Sequence, residues 1–122
     1  MVTTLVVDAA NVVGSRPDGW WKDRAGAARR LHEALLVADT SYDVVVLVLE
    51  GGGKAGVRPG RDAHVRTVHA TGSGDDAIVA EVRAAADRGE RVTVVTADRH
   101  LAARCSGAGA MALSPSWLLS HL

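Results

Sequence analysis

Leu5-Val6-Val7-Asp8-Ala9-Ala10-Asn11-Val12-Val13-Gly14, almost at the start of the chain, is the stretch whose reading decides the fold. A short β-branched run ends in a carboxylate, and a carboxamide follows three residues later. In an open α/β sheet, ligands collect beyond the carboxyl ends of the strands, so a strand ending in Asp8 delivers a charge to the rim where chemistry happens. Two later apolar runs close the same way. Residues 44–49 (VVVLVL) lead into Glu50, and residues 92–97 (VTVVTA) lead into Asp98. Three strands that each end on an acid are the main functional signal of the sequence.

The remaining composition narrows the class. The chain has 122 residues, enough for one domain around a single core, and its 48% hydrophobic content excludes a disordered chain. With no Phe and one Tyr, that core is built from Val, Leu and Ala. Lys and Arg balance Asp and Glu at 14 each, so any basic surface for a polyanion has to be local. One cysteine, Cys105, excludes an internal disulfide and a Cys-rich zinc module. The amino-terminal apolar run lacks a basic flank and is too short for a signal peptide or a membrane span, so a soluble cytoplasmic protein is expected.

Along the chain, residues 4–7 read as a first strand and 11–19, with Gly14, Pro17 and Gly19, as a loop. Apolar residues at helical spacing from Ala27 to Ala38 predict a helix over 22–38. Residues 44–49 are apolar without alternation, which suits a strand buried on both faces of a parallel sheet. Five glycines and a proline between 51 and 60 predict a mobile loop, and 65–70 a third strand. Ser73-Gly74-Asp75-Asp76 opens a second helix, which Gly89 ends. A fourth strand over 91–96, a short helix over 99–105 and a fifth strand over 110–113 follow. Ser114-Pro115 then caps a last helix through Leu119. The order predicts a single doubly wound, Rossmann-like α/β domain over 1–122, with a parallel sheet of about five strands between helices.

On such a fold Asp8, Glu50 and Asp98 end separate strands, while Asp75 and Asp76 open the helix after the third. Crowded carboxylates raise one another's pKa unless a cation intervenes. Oxygen donors without Cys or a His cluster favour a hard ion, Mg²⁺ or Mn²⁺. Such an ion lowers the pKa of an attacking water and neutralises a phosphate, so the expectation is a metal-dependent nuclease. Each acid also has a plainer explanation. Asp8 could cap a turn, Asp75 or Asp76 could be an N-cap, Asp98 could cap the helix at Arg99, and Glu50 borders a loop.

The loops add local positive charge. Lys54, Arg58, Arg61 and Arg66 face only Asp62, and Arg16, Lys22, Arg24, Arg29 and Arg30 face Asp18 and Asp23. Lys54, Arg58, Arg61 and Arg16 are the expected phosphate contacts, although charge runs are usually just solvated faces. Trp20-Trp21 could stack on unpaired bases. Gly51-Gly52-Gly53-Lys54-Ala55 lacks the glycine and the Ser or Thr of a P-loop, and Gly72-x-Gly74 lacks the third glycine of a dinucleotide fingerprint.

Asp8-x-x-Asn11-x-x-Gly14, Arg30-Leu31, Gly74-Asp75-Asp76-x-Ile78, Thr96-Ala97-Asp98 and the late Ser114-Pro115-Ser116-Trp117 segment together resemble the NYN/PIN-like ribonuclease domains, closest to their YacP-like bacterial branch. The resemblance implies a sheet ordered 3-2-1-4-5 and Mg²⁺- or Mn²⁺-dependent internal cleavage of RNA. It implies Asp8, Asp75 and Asp98 as metal-site acids with Asn11 and Thr96 in support, Asp76 adjacent, and Glu50 where relatives of that branch often have Asp. RNA is the implied partner, because the helical arch of flap endonucleases is missing. Members often dimerise, and Trp117, Leu118 and Leu119 are the surface such a homodimer would use. Two rival expectations remain: a non-catalytic RNA-binding or adaptor module, and a small-molecule phosphoesterase.

Overall fold

The computed structural model describes residues 1–122. Its central strand is β1 (Thr3–Asp8), flanked in parallel by β2 (Val44–Leu49) and β5 (Arg91–Val95). β4 (Val65–His69) lies parallel outside β2, and β6 (Met111–Leu113) parallel outside β5. A short antiparallel edge strand, β3 (Gly60–Asp62), pairs with β4 and completes the order β3-β4-β2-β1-β5-β6. The five parallel strands stand in the expected order. The edge strand was not foreseen.

Unbroken apolar runs form these strands because both faces of the sheet are covered. Leu5, Val7, Val45, Leu47 and Leu49 face α1 (Ala9–Gly14), α2 (Arg24–Val37) and α5 (Pro115–Leu119). Val6, Val46, Val48, Val92 and Val94 face α3 (Gly74–Asp87) and α4 (Arg99–Gly107). Each such side chain contributes about 1.5–3 kcal/mol by leaving water. Cys105, on α4, packs into the second of these layers, fully buried, and burial pushes its thiol pKa up.

From β1 the chain travels outward through β2 to β4, and α3 then carries it back to β5 on the other side of β1. The direction of winding reverses between β1 and β5. The crevice beyond their carboxyl ends is therefore the topological switch point, the preferred ligand position of such sheets.

Two expected loops are structured. Helix α1 begins directly after Asp8, so Asn11 stands on a helix rather than in a loop. The segment then turns through Gly19, at φ +75°, into a 3₁₀ turn at Trp20–Lys22, and α2 starts only at Arg24, where Asp23 accepts from the Gly26 N–H at 2.8 Å. The glycine-rich stretch forms a 3₁₀ helix over Gly51–Gly56 packed on α2, then β3. Its glycines serve close approach: a Cβ at Gly56 would lie 2.0 Å from the Ala25 carbonyl oxygen. Lys54 Nζ donates to the Ala70 carbonyl at 3.0 Å and His69 Nε2 to the Val57 carbonyl at 2.7 Å, which tie the segment to the end of β4.

Caps read from sequence are present. Gly89 follows α3 at φ +81°, and Ser114 accepts from the Trp117 N–H at 3.2 Å with Pro115 in the first turn of α5. The expected dimer surface is corrected in part. Leu118 is fully buried in the core, and Trp117 is half-buried, edge-on to Tyr42 with its ring centroid 6.1 Å away. A five-residue helix must turn its apolar face inward to cover the sheet, so Leu118 has nothing to offer a partner. No helix is long and apolar enough to cross a membrane.

Candidate acidic site at the carboxyl ends of the strands

Asp8 is both the last residue of β1 and the N-cap of α1, and it is only 4% exposed. Its Oδ2 accepts from Thr96 Oγ1 at 2.8 Å and from Asn11 Nδ2 at 2.7 Å, and its Oδ1 from the Asn11 N–H at 3.4 Å. Burial raises its pKa, and the donors from Thr96 and Asn11 work against that rise. A buried carboxylate is tolerated only with such donors. Thr96 is the residue after β5. Its hydroxyl donates to Asp8 and accepts from the Asp98 N–H at 3.1 Å, linking the ends of β1 and β5.

Asp98 caps α4, with Oδ1 accepting from the His100 N–H at 2.9 Å and the Leu101 N–H at 3.1 Å. That leaves Oδ2 without a protein partner. Asp75 stands in the first turn of α3, whose cap is Ser73. The Asp75 carboxylate makes neither a hydrogen bond nor an ion pair. Partial burial raises its pKa, and the charges of Asp98, Glu50 and Asp76 raise it further; Arg104 is the one cation that opposes them. Like charges at one rim, with a single opposing cation, leave Asp75 short of positive charge.

The other two acids are held elsewhere. Asp76 is an exposed partner of Arg104, at 3.0 Å. Glu50 Oε2 accepts from the Gly74 N–H at 2.9 Å. This contact explains Gly74, since a Cβ there would lie 2.7 Å from the same oxygen. The acids therefore share one rim, but no three His, Cys, Asp or Glu side chains are drawn together as a group able to hold a metal ion. The chemistry of the donors, all oxygen, with an unpartnered carboxylate at Asp75 and a free oxygen on Asp98, fits a hard divalent cation.

The expected phosphate contacts fare less well. Arg61 lies opposite Arg66 in the β3–β4 hairpin and donates Nε to the Ala63 carbonyl at 3.1 Å. The hairpin folds back toward the amino end of β4, so Arg61 is carried away from the acids. Lys54 stays near the rim but is bound to the Ala70 carbonyl. Arg58 is exposed beyond the 3₁₀ helix, and Arg16, after α1, lines a small depression with Asp18 and Arg30. Two arginines that were not singled out come closer. Arg104 opposes the acids, and the Arg24 guanidinium lies over the Trp20 ring, 5.3 Å from its centroid. Arg24 was visible only as one charge of a locally positive stretch and Arg104 not at all, because helix packing brings both there.

No family model matches the chain, and no curated protein matches it. Among solved structures, the crystal structure of a mutant of Rae1 (YacP) from Bacillus subtilis is similar, with a TM-score of 0.67 at 19% sequence identity. The match covers 98% of this chain and 74% of that one. A likeness at that identity concerns the path of the backbone, and on that ground the chain has a YacP-like fold.

Proposed function

We propose that the chain is a metal-dependent endoribonuclease, hydrolysing RNA phosphodiesters at the rim formed by Asp8, Asp75 and Asp98. The observation that carries this reading is the Asp75 carboxylate: unpartnered, crowded by Asp98 and Glu50, and set at the switch point of the sheet. The dipole of α3 favours an acid in its first turn, and the crowding by Asp98 and Glu50 works against it. The likeness of the fold to Rae1 (YacP) and the resemblance of the motifs to NYN/PIN-like ribonucleases support the same reading.

Asp8, Asp75 and the free oxygen of Asp98 are the residues that would hold Mg²⁺ or Mn²⁺. When bound, such an ion supplies a lowered pKa for an attacking water and charge neutralisation for the phosphate. The chain's own residues do the rest. Thr96 and Asn11 favour the charged form of Asp8 against the pull of burial and fix its direction. The Asp98 side chain is locked by the first turn of α4, so its orientation costs nothing when substrate arrives. The Asp75 carboxylate has no protein partner to give up in holding the ion.

The test is cleavage of an end-labelled structured RNA with Mg²⁺, Mn²⁺ or EDTA, beside Asp75→Asn and Asp98→Asn. Both substitutions suit the fold, since Asn remains a good N-cap at position 98 and position 75 has no partner to lose. Internal cuts that need metal and disappear in both variants are expected. RNA bound but left whole under every condition would replace this reading with the binding module, and hydrolysis of a small phosphoester without RNA cleavage would replace it with a phosphoesterase.

A further inference from the structure

Beside Glu50 the rim opens into a cavity of about 340 Å³ between α1, α2 and the Gly51–Gly56 helix. Ala10, Val13 and Leu49 contribute apolar surface. Trp20 and Arg24 form another wall, with the guanidinium 5.3 Å from the indole centroid. Arg24 makes no ion pair. Glu50 lines the cavity while its charge raises the pKa of Asp75, so one side chain joins the cavity to the acids.

We infer that this cavity is a subsite for one unpaired nucleobase of the RNA, and that Glu50 makes it prefer guanine; this rests on the reading of the rim as an RNA-cleaving site. The volume lies within the range of small-ligand pockets. Unpaired bases are recognised by stacking on aromatic rings and guanidinium planes, and by hydrogen bonds to their Watson–Crick edges. Trp20 and Arg24 supply the flat faces. The Glu50 carboxylate only accepts, and its four lone-pair positions leave room for two donors beside the Gly74 N–H. Guanine alone presents two adjacent donors, N1–H and the 2-amino group, as a carboxylate prefers. Cytosine and adenine present one amino donor beside an acceptor, and the N3–H of uracil stands between two carbonyls that the carboxylate repels. Glu50 therefore reads a base and is not one of the ion's ligands.

The test needs no cleavage. Guanosine, adenosine, cytidine and uridine 5′-monophosphates are titrated into the ¹⁵N-labelled protein in EDTA, following the three indole N–H resonances, with Trp20 assigned through Trp20→Phe. The guanosine nucleotide is expected to move the Trp20 resonance at roughly tenfold lower concentration than the uridine nucleotide, the discrimination of one good base contact. The Trp117 resonance stays in place. Ala10→Leu, an exposed helical position where Leu is well tolerated, narrows the cavity and weakens the shift. Glu50→Gln reduces the preference to less than about threefold while stacking persists. Equal binding of all four nucleotides, an unchanged shift in Ala10→Leu, or no shift at millimolar nucleotide would each overturn the inference. Guanosine binding in a protein that leaves RNA whole would keep the subsite and remove the nuclease. RNA cleavage without a base preference would do the reverse.

Discussion

The two rims of the sheet use the same residue types and treat them in opposite ways. At the amino ends of the strands, Asp43 accepts from the Thr3 N–H at 2.9 Å, and Glu90 accepts from Thr4 Oγ1 and from Arg88 Nε, both at 2.7 Å. These hydrogen bonds lower the pKa of both acids. Nearby, Arg66 and Glu81 form another ion pair. At the carboxyl ends, burial and like charge raise the pKa of Asp8 and Asp75. One rim is electrostatically settled and the other is held in tension by the packed core between them. Perturbed pKa values occur in structural networks and at functional sites alike, and it is the carboxylates left without cations that set the second rim apart.

The contrast is broken most severely through activity. Asp75→Asn removes a charged oxygen that would hold the ion and is expected to slow RNA cleavage by more than about 100-fold, beyond the roughly 10–100-fold that loss of a hydrogen bond supporting a ligand costs. Glu90→Ala at the settled rim leaves the rate of the folded protein unchanged. Equal losses in initial-rate measurements would erase the distinction between the rims.

Stability sharpens it next. Thr96→Val removes one donor from the buried Asp8 charge and the acceptor of the Asp98 N–H, and is expected to cost about 1–3 kcal/mol in urea unfolding. Glu90→Ala strands the buried Thr4 hydroxyl and is expected to cost about 1 kcal/mol. Asp75→Asn goes the other way. Removing a crowded, partly exposed charge should stabilise the protein by less than about 1 kcal/mol, in the range of solvent-screened pairs. Destabilisation by Asp75→Asn would mean that the dipole of α3 outweighs the crowding of the acids.

The smallest effect is its pH dependence. A raised folded-state pKa means that the native protein binds the Asp75 proton more tightly than the unfolded chain does. Native stability is thus gained as pH falls through the folded value toward 3.8, and lost as pH rises through the same window. The advantage of Asp75→Asn should therefore be greatest at neutral pH and shrink on acidification. Glu90 has the opposite sign: its contribution is complete above its unfolded value near 4.5 and is lost as pH falls through its lowered folded value. Parallel pH profiles for Asp75→Asn and Glu90→Ala, measured against wild type, would contradict the comparison.

Much of this was legible in the chain itself, for reasons that differ by region. The double cover of the sheet followed from apolar runs too long and too uniform for a one-faced strand, whereas the strand order was implied only by the resemblance of the motifs. The acids at the strand ends followed from the same runs, since a strand that stops at a charge points it at the rim. Two features were hidden. The α1 helix is six residues long and lies before Pro17 and Gly19, where loop composition masks it. The glycines of 51–56 read as freedom, whereas Gly56 is there because α2 leaves no room for a Cβ. Arg24 and Arg104 reach the site only through helix packing, which no local spacing encodes.

The double role of Asp8 has a kinetic consequence. Because one carboxylate terminates the central strand and nucleates the next helix, the site is not added to a finished scaffold. The Asn11 amide, which donates to Asp8 Oδ1, and the Thr96 hydroxyl, 88 positions along the chain from Asp8, come to the same side chain. A near contact and a very distant one thus close on a single point, and the distant one waits for the slow pairing of β1 with β5. A refolding chain would acquire its helix cap early and its β1–β5 bridge late. The Asp8–Thr96 bond would then form with the last long-range contacts, making the geometry of the rim a direct clock for completion of the fold.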